Sequence, residues 1–222
     1  MLRRALVLGA TGLVGSRCVA HLAESAAYAS VTCLVRRPAV TSSGKLHERV
    51  VDFSALRTDD VAPVDDVFCA IGTTMKKAGT REAFRNVDLD LPLRVAELAV
   101  SVGAKRIALV SSVGADAGSS NFYLRTKGEL EDALAKLPLA ALHVLRPSLL
   151  LGDRAESRPG EALASVLSRA TRGLLLGRLR KYRPIDADRV ARAMIVAMIE
   201  PDPQPPRRVY EHDAIVDFAT RL

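Results

Sequence analysis

Leu6-Val7-Leu8-Gly9-Ala10-Thr11-Gly12-Leu13-Val14-Gly15 is the stretch that decides the fold. Ala5 to Leu8 is a short apolar run of strand length, and Val14 to Ala23 reads as the helix after it. Three glycines, each three residues from the next, join the two. Gly9 permits a tight turn, Gly12 lets backbone approach a pyrophosphate, and Gly15 lets the helix lie close on the strand. Thr11, Leu13 and Val14 complete a helix N-terminus on which phosphate sits readily. The spacing is GxxGxxG, not the GxGxxG of longer-chain dehydrogenases. A purely structural turn is the alternative, but the strand before and the helix after supply the context a dinucleotide site needs.

Outward from this turn, strand and helix patterns alternate. Strands are predicted over Val31–Val35, Val50–Phe53, Asp66–Ile71, Arg106–Val110 and Leu142–Leu145. Helices are predicted over Asp88–Val102, Tyr123–Leu137, Ser165–Leu176 and from an Asp186 cap through Ile199. Val209-Tyr210 reads as an edge strand and Ala214–Leu222 as a last helical turn or two. Such alternation implies helices on a parallel sheet. The expected fold is α/β: a single Rossmann-type, doubly wound parallel sheet over residues 1–222, with 152–222 a small C-terminal appendage on the substrate side.

Composition agrees without deciding. The 222 residues are 49% apolar, 26% charged and 4% aromatic. Ala, Leu and Val therefore carry the core, as in helices packed on a parallel sheet; a helical bundle would share that composition. Cys18, Cys33 and Cys69 have no ligand-type spacing and read as reduced thiols. His21, His47, His143 and His212 form no cluster, so no metal is expected. No apolar run is long enough to span a bilayer, and the opening Met-Leu-Arg-Arg runs straight into a strand. No membrane association and a cytoplasmic location are the expectation. The net charge of +7 is scattered except over Arg172–Arg183, which reads as a solvated loop and not a nucleic-acid site.

Cofactor choice is read at the end of the second strand. An acid there selects NAD by holding the ribose 2′-hydroxyl. Arg36-Arg37 stand there instead. A guanidinium pairs with a 2′-phosphate and stacks on adenine, so NADP(H) is expected. The alternative is that one arginine, Arg37 more readily than Arg36, points to solvent. Asp52 and Phe53 fall where the adenine edge should lie; Asp52 either accepts the adenine amino group or caps a turn. Ala70, Ile71 and Gly72, after the fourth strand, are narrow enough for backbone to lie beside the adenine ribose. Cys69 before them reads as core.

Ser111-Ser112 follow the fifth strand. Tyr123 and Lys127 form a YxxxK pair at the start of the next helix, and residues four apart share a helical face. An ammonium beside a phenol favours the phenolate. A phenol so tuned gives a proton to a carbonyl oxygen as hydride arrives. Lys127 would also meet the nicotinamide ribose, and a serine hydroxyl would hold the carbonyl oxygen. Arg146 and Pro147, ending the sixth strand, fall near the nicotinamide carboxamide; backbone there would hold it, while the Arg146 side chain is either ligand-facing or structural. Arg154, Arg158 and Glu161, on the loop beyond, either line a substrate pocket or are solvated.

With these pieces in order, the chain resembles the short-chain dehydrogenase/reductases over nearly its whole length. It is most similar to the atypical NAD(P)H-binding, NmrA-like branch, and within it to the Tat-interacting oxidoreductases. The distinguishing segments are Cys69–Thr74, Ser111–Asp116, Ser119–Tyr123, Lys127-Gly128-Glu129, Leu145-Arg146-Pro147 and Glu156–Glu161. The resemblance implies Ser112, Tyr123 and Lys127 as a catalytic triad. It also implies an asparagine after the fourth strand, for which Asn86 is the candidate. The implied activity is NADP(H)-dependent hydride transfer to a small carbonyl substrate. Two alternatives stay open: a non-catalytic NADP(H)-binding regulator or interaction protein, and a sugar-nucleotide epimerase, for which the chain is short.

Overall fold

Strand β1 runs from Arg3 to Leu8, and its side chains alternate between two apolar layers. Ala5 and Val7 face one layer, Leu6 and Leu8 the other. A strand buried on both faces reads as an unbroken apolar run, which is why this segment was legible. The computed structural model describes residues 2–39, 42–152 and 175–222. After β1 come β2 (Tyr28–Val35), β3 (Leu46–Val50), β4 (Asp66–Cys69), β5 (Arg106–Val110) and β6 (Ala141–Leu145). Two short strands, β7 (Leu150–Leu151) and β8 (Ile185–Asp186), pair only with each other; β9 spans Arg207–Tyr210. The main sheet has the order β3-β2-β1-β4-β5-β6-β9, and every pairing in it is parallel.

The helices are α1 (Leu13–Glu24), α2 (Met75–Ala78), α3 (Arg81–Arg85), α4 (Leu91–Ser101), α5 (Phe122–Leu134), α6 (Ala187–Ile199) and α7 (His212–Ala219). One apolar layer gathers α1, α6 and α7 against the sheet. The opposite layer gathers α4, α5 and the segment Val51–Val64. The described part of the chain after Gly152 thus contributes α6 and α7 to one layer and β9 to the sheet. Asp186 caps α6 as read, its side chain accepting the Asp188 amide.

Two expectations are corrected, and a third falls almost wholly outside the described residues. The third strand is Leu46–Val50, not Val50–Phe53. Three polar residues, His47-Glu48-Arg49, fill its centre at the sheet's edge, whereas Val50-Val51 marks only where the chain turns inward. The helix placed over Asp88–Val102 begins earlier, because α3 and α4 are joined by a π-helical turn over Asn86–Asp90. The helix expected over Ser165–Leu176 lies outside the described residues except for Leu175 and Leu176, which are not helical; a 3₁₀ segment follows over Gly177–Tyr182.

Candidate active site

The turn after β1 has the geometry its glycines imply. Gly9 sits at φ +89°, a conformation side chains disfavour. A Cβ there would also come 2.6 Å from the Ile71 nitrogen and 2.8 Å from the Ala70 oxygen. The glycine turn and the exit of β4 are therefore in direct backbone contact, which brings Gly9 together with Ala70 and Ile71. At Gly15 a Cβ would lie 2.0 Å from the Gly9 carbonyl oxygen, so α1 is seated on the turn only because that residue is glycine. Gly12 is the extended residue just before α1, and no side chain caps the helix there. Its Cβ would meet only Gly9 oxygen at 3.2 Å and Ala70 oxygen at 3.8 Å. These uncapped amides, beside an exposed Thr11, fit a pyrophosphate. Val14 is buried core, and Leu13 packs beneath Gly152.

Arg36 and Arg37 are both exposed directly after β2. Asp52 forms a local turn: its Oδ1 accepts the Ser54 amide at 2.9 Å and the Ser54 hydroxyl at 2.7 Å. Those bonds hold its carboxyl below the usual range. Phe53 beside it packs on the α4–α5 layer. Cys69 is buried, and burial pushes its thiol up to about 11, as suits a core residue.

Ser111 and Ser112 diverge. Ser111 is buried and donates its hydroxyl to Glu131 of α5. Ser112 is partly exposed, with only a 3.5 Å contact to the Val113 carbonyl. Of the two, Ser112 is the hydroxyl available to a ligand. Glu131, fully buried, also takes Arg146 at 2.6 Å and Arg207 at 2.8 Å. The Arg146 guanidinium thus faces a carboxylate of its own fold, and the Pro147 carbonyl accepts the Val113 amide at 2.9 Å.

Helix α5 begins with Asn121, whose side chain accepts the Leu124 amide at 3.2 Å. Its second turn lies hard against the loop after β5. A Cβ on Gly128 would come 2.2 Å from the Ala117 nitrogen, so only glycine lets α5 lie this close to that loop. The Tyr123 ring packs at 5.7 Å from Phe84, and among the described residues no group hydrogen-bonds its hydroxyl. Lys127 is buried, and its Nζ lies 2.7 Å from Oδ1 of fully buried Asp88. The other Asp88 oxygen accepts the Thr73 amide at 2.7 Å. Burial disfavours the ammonium, but Asp88 and the nearby Tyr123 outweigh it and hold Lys127 above its ordinary value.

Asp88 and Glu131 are not singled out by the sequence, and Gly128 stands there only within the segment Lys127-Gly128-Glu129. A signal existed for the first: Asp88, Pro92, Val95 and Ala99 form one buried stripe at helical spacing. An acid on such a stripe requires a cationic partner. The asparagine sought at Asn86 is exposed, and Asp88 holds the buried position on that π turn. Arg154, Arg158 and Glu161 lie outside the described residues, as does Arg172 at the start of the basic stretch; within it Arg180 pairs with Asp213 and Lys181 with Glu211.

The glycine turn, Arg36, Gly72, Ser112, Tyr123 and Pro147 all lie just beyond the carboxyl ends of parallel strands or on the helix that follows one. That edge is where ligands bind in an open sheet, and it defines a dinucleotide-binding Rossmann protein. Residues 9–157 match the family described as NAD(P)H-binding, and the chain belongs to that family. It is similar to the mitochondrial protein FMP52 of Candida albicans, with 40% identity covering 85% of each chain. It is also similar to protein HTATIP2 of Rattus norvegicus, with 41% identity over 71% of this chain and 67% of that one. Among solved structures, the UDP-glucuronic acid 4-epimerase of Bacillus cereus in complex with NAD superposes with a TM-score of 0.68. The identity is 14%, over 96% of this chain and 80% of that one, a likeness of fold. One expectation falls here. The cytoplasmic location rested on the absence of a visible leader, whereas FMP52 relatives in four fungi are named mitochondrial. The composition of a Rossmann core does not record its compartment, so that argument had no force. Among the described residues no helix is long and apolar enough to cross a membrane.

Proposed function

We propose that this NAD(P)H-binding protein is an NADP(H)-dependent reductase of a small carbonyl compound. The observation that carries the reading is Tyr123 and buried Lys127 on one face of α5, near enough for the phenol to act on the ammonium, with Gly72 of the β4 exit over Lys127 Nζ. Arg36 and Arg37, exposed after β2, favour the 2′-phosphorylated cofactor. Bound NADPH supplies the hydride. Ser112 donates a hydrogen bond to the substrate carbonyl oxygen, and Tyr123 gives that oxygen its phenolic proton as the alcohol forms. Lys127, held as an ammonium beside Asp88, would stabilise the resulting phenolate and hold the nicotinamide ribose hydroxyls. Backbone at Arg146-Pro147 would hold the carboxamide, while the Arg146 side chain is committed to Glu131 of α5.

The test is NADPH consumption across a panel of small aldehydes and ketones, followed by Tyr123→Phe on any substrate turned over. Turnover should fall by about 10²-fold or more with NADPH affinity nearly unchanged, the usual scale for removing a positioned acid. Full activity in Tyr123→Phe would remove the phenol from the reaction. A protein that binds NADPH yet oxidises it with no carbonyl is instead a cofactor-responsive regulator.

A further inference from the structure

Lys127 and Asp88 form a buried ion pair roofed by a glycine. A Cβ on Gly72 would lie 3.3 Å from Asp88 Oδ1 and 3.5 Å from Lys127 Nζ. Gly72 itself is exposed, so the pair borders the edge where cofactor is expected while remaining out of water. Asp88 reaches this place because the π-helical turn over Asn86–Asp90 directs it inward between α3 and α4. The Thr73 amide then fixes its second oxygen.

We infer that Asp88 is a positioning residue for the cofactor: its carboxylate is what allows Lys127 to remain an ammonium inside the fold. The inference rests on the reading of Lys127 as the residue that meets the nicotinamide ribose. The groups facing the ammonium are Asp88 on the π turn, Tyr123 on its own helix and Cys69 on β4. Burial keeps Cys69 a thiol, and Asp88, with its oxygen 2.7 Å from Nζ, is the acid paired with the ammonium. A buried lysine without such an acid sheds its proton within the ordinary working range. A neutral amine no longer offers the ribose hydroxyls a charge-assisted hydrogen bond.

Asp88→Asn keeps the shape and the contact to Thr73 but removes the charge. Two readouts then move in opposite directions with pH. Cofactor affinity, read as the ratio of variant to parent Kd in NADPH fluorescence titrations, should worsen by about 10-fold between about pH 7 and pH 9.5 as Lys127 loses its proton. The Tm deficit of the variant should shrink over the same range. The sign follows from proton counting: the variant's native lysine binds fewer protons than the unfolded one, so stability rises with pH. A residue that merely supports the fold predicts a Kd ratio and a Tm deficit that do not change with pH, and either result overturns the inference. If Asp88→Asn is unfolded at neutral pH, far-ultraviolet circular dichroism at about pH 9.5 should show the fold recovered; a chain unfolded at both overturns it. Asp88→Asn/Lys127→Met, which removes both charges, should melt above Asp88→Asn at neutral pH. Should the parent bind no NADPH, the cofactor reading fails by itself, and the melting data still judge the charge pair.

Discussion

Glu131 of α5 holds Arg146 of the β6 exit by two parallel hydrogen bonds, Nε to Oε1 at 3.0 Å and Nη2 to Oε2 at 2.6 Å. The carboxylate is fully buried, and Arg207 of β9 donates to it as well at 2.8 Å. One acid therefore ties the helix bearing Tyr123 and Lys127 to two neighbouring strands. Glu131→Gln leaves two guanidiniums facing a neutral amide. Both arginines retain some exposure, so the loss belongs at the lower end for a broken buried pair, about 3 kcal/mol. Urea unfolding measures it, and an unchanged midpoint would show that water already screens the cluster.

Cofactor discrimination should lie in Arg36. Arg36→Ala removes one charge-assisted contact, worth roughly 1.5–3 kcal/mol, from a 2′-phosphate and little from a 2′-hydroxyl. Titration with NADPH and NADH should show the former weakened and the latter nearly unchanged. Equal affinity of the parent for both cofactors contradicts the assignment.

Two glycines of the first turn should fail differently. A methyl on Gly15 would sit 2.0 Å from backbone, so Gly15→Ala must displace α1 and lower the Tm. Gly12→Val meets nothing closer than 3.2 Å at its Cβ and should stay folded, yet it places a branched side chain where phosphate must approach. Circular dichroism and NADPH titration separate the two. A folded Gly12→Val protein with normal affinity would move the cofactor site elsewhere.

Acid should destabilise the fold partly through His143. Burial on β6 pushes this imidazole down to about 4 from its ordinary 6.5, helped by Arg208 and Arg106 against Asp202 and Glu200. Its Nδ1 lies 2.8 Å from the Tyr210 hydroxyl. Between those two values the unfolded chain takes up a proton that the native one refuses, so stability is present above about pH 6.5 and lost as pH falls toward 4. The contribution is on the order of 3 kcal/mol. His143→Gln should flatten the pH dependence of urea unfolding across that window, and an equally steep profile in the variant would assign the acid sensitivity to other groups.

Legibility tracked burial. Arg106–Val110 was read with the bounds it has, because β5 is apolar between turn residues. The edge strand β3 was misplaced because half-exposed Leu46-His47-Glu48-Arg49-Val50 carries no apolar run. Tyr123, Lys127 and the glycine turn were legible because their spacing is set by a helix turn or a backbone approach. Asp88 and Glu131 were not, since an acid on a helix ordinarily faces water. The apolar stripe around Asp88 asks for a cation, but which cation it and Glu131 hold appears only when α5 is laid against the π turn and β6. Gly128 likewise looks like an unfavourable helix residue until the loop at Ala117 is seen 2.2 Å from where its Cβ would be.

The seating of β9 has a consequence for how the protein is made. A ribosome delivers β6 well before β9, and through that interval β6 is an edge with one row of amides and carbonyls unpaired. Glu131 meanwhile lacks Arg207, so α5 rests on a sheet held by one arginine of its two. The nascent chain has already emitted its glycine turn, Ser112, Tyr123 and Lys127, but the platform beneath them closes only when Arg207–Tyr210 clear the exit tunnel. Vectorial synthesis thus leaves the cofactor-binding half complete in sequence and unfinished in structure, an interval in which a chaperone has a strand edge to guard.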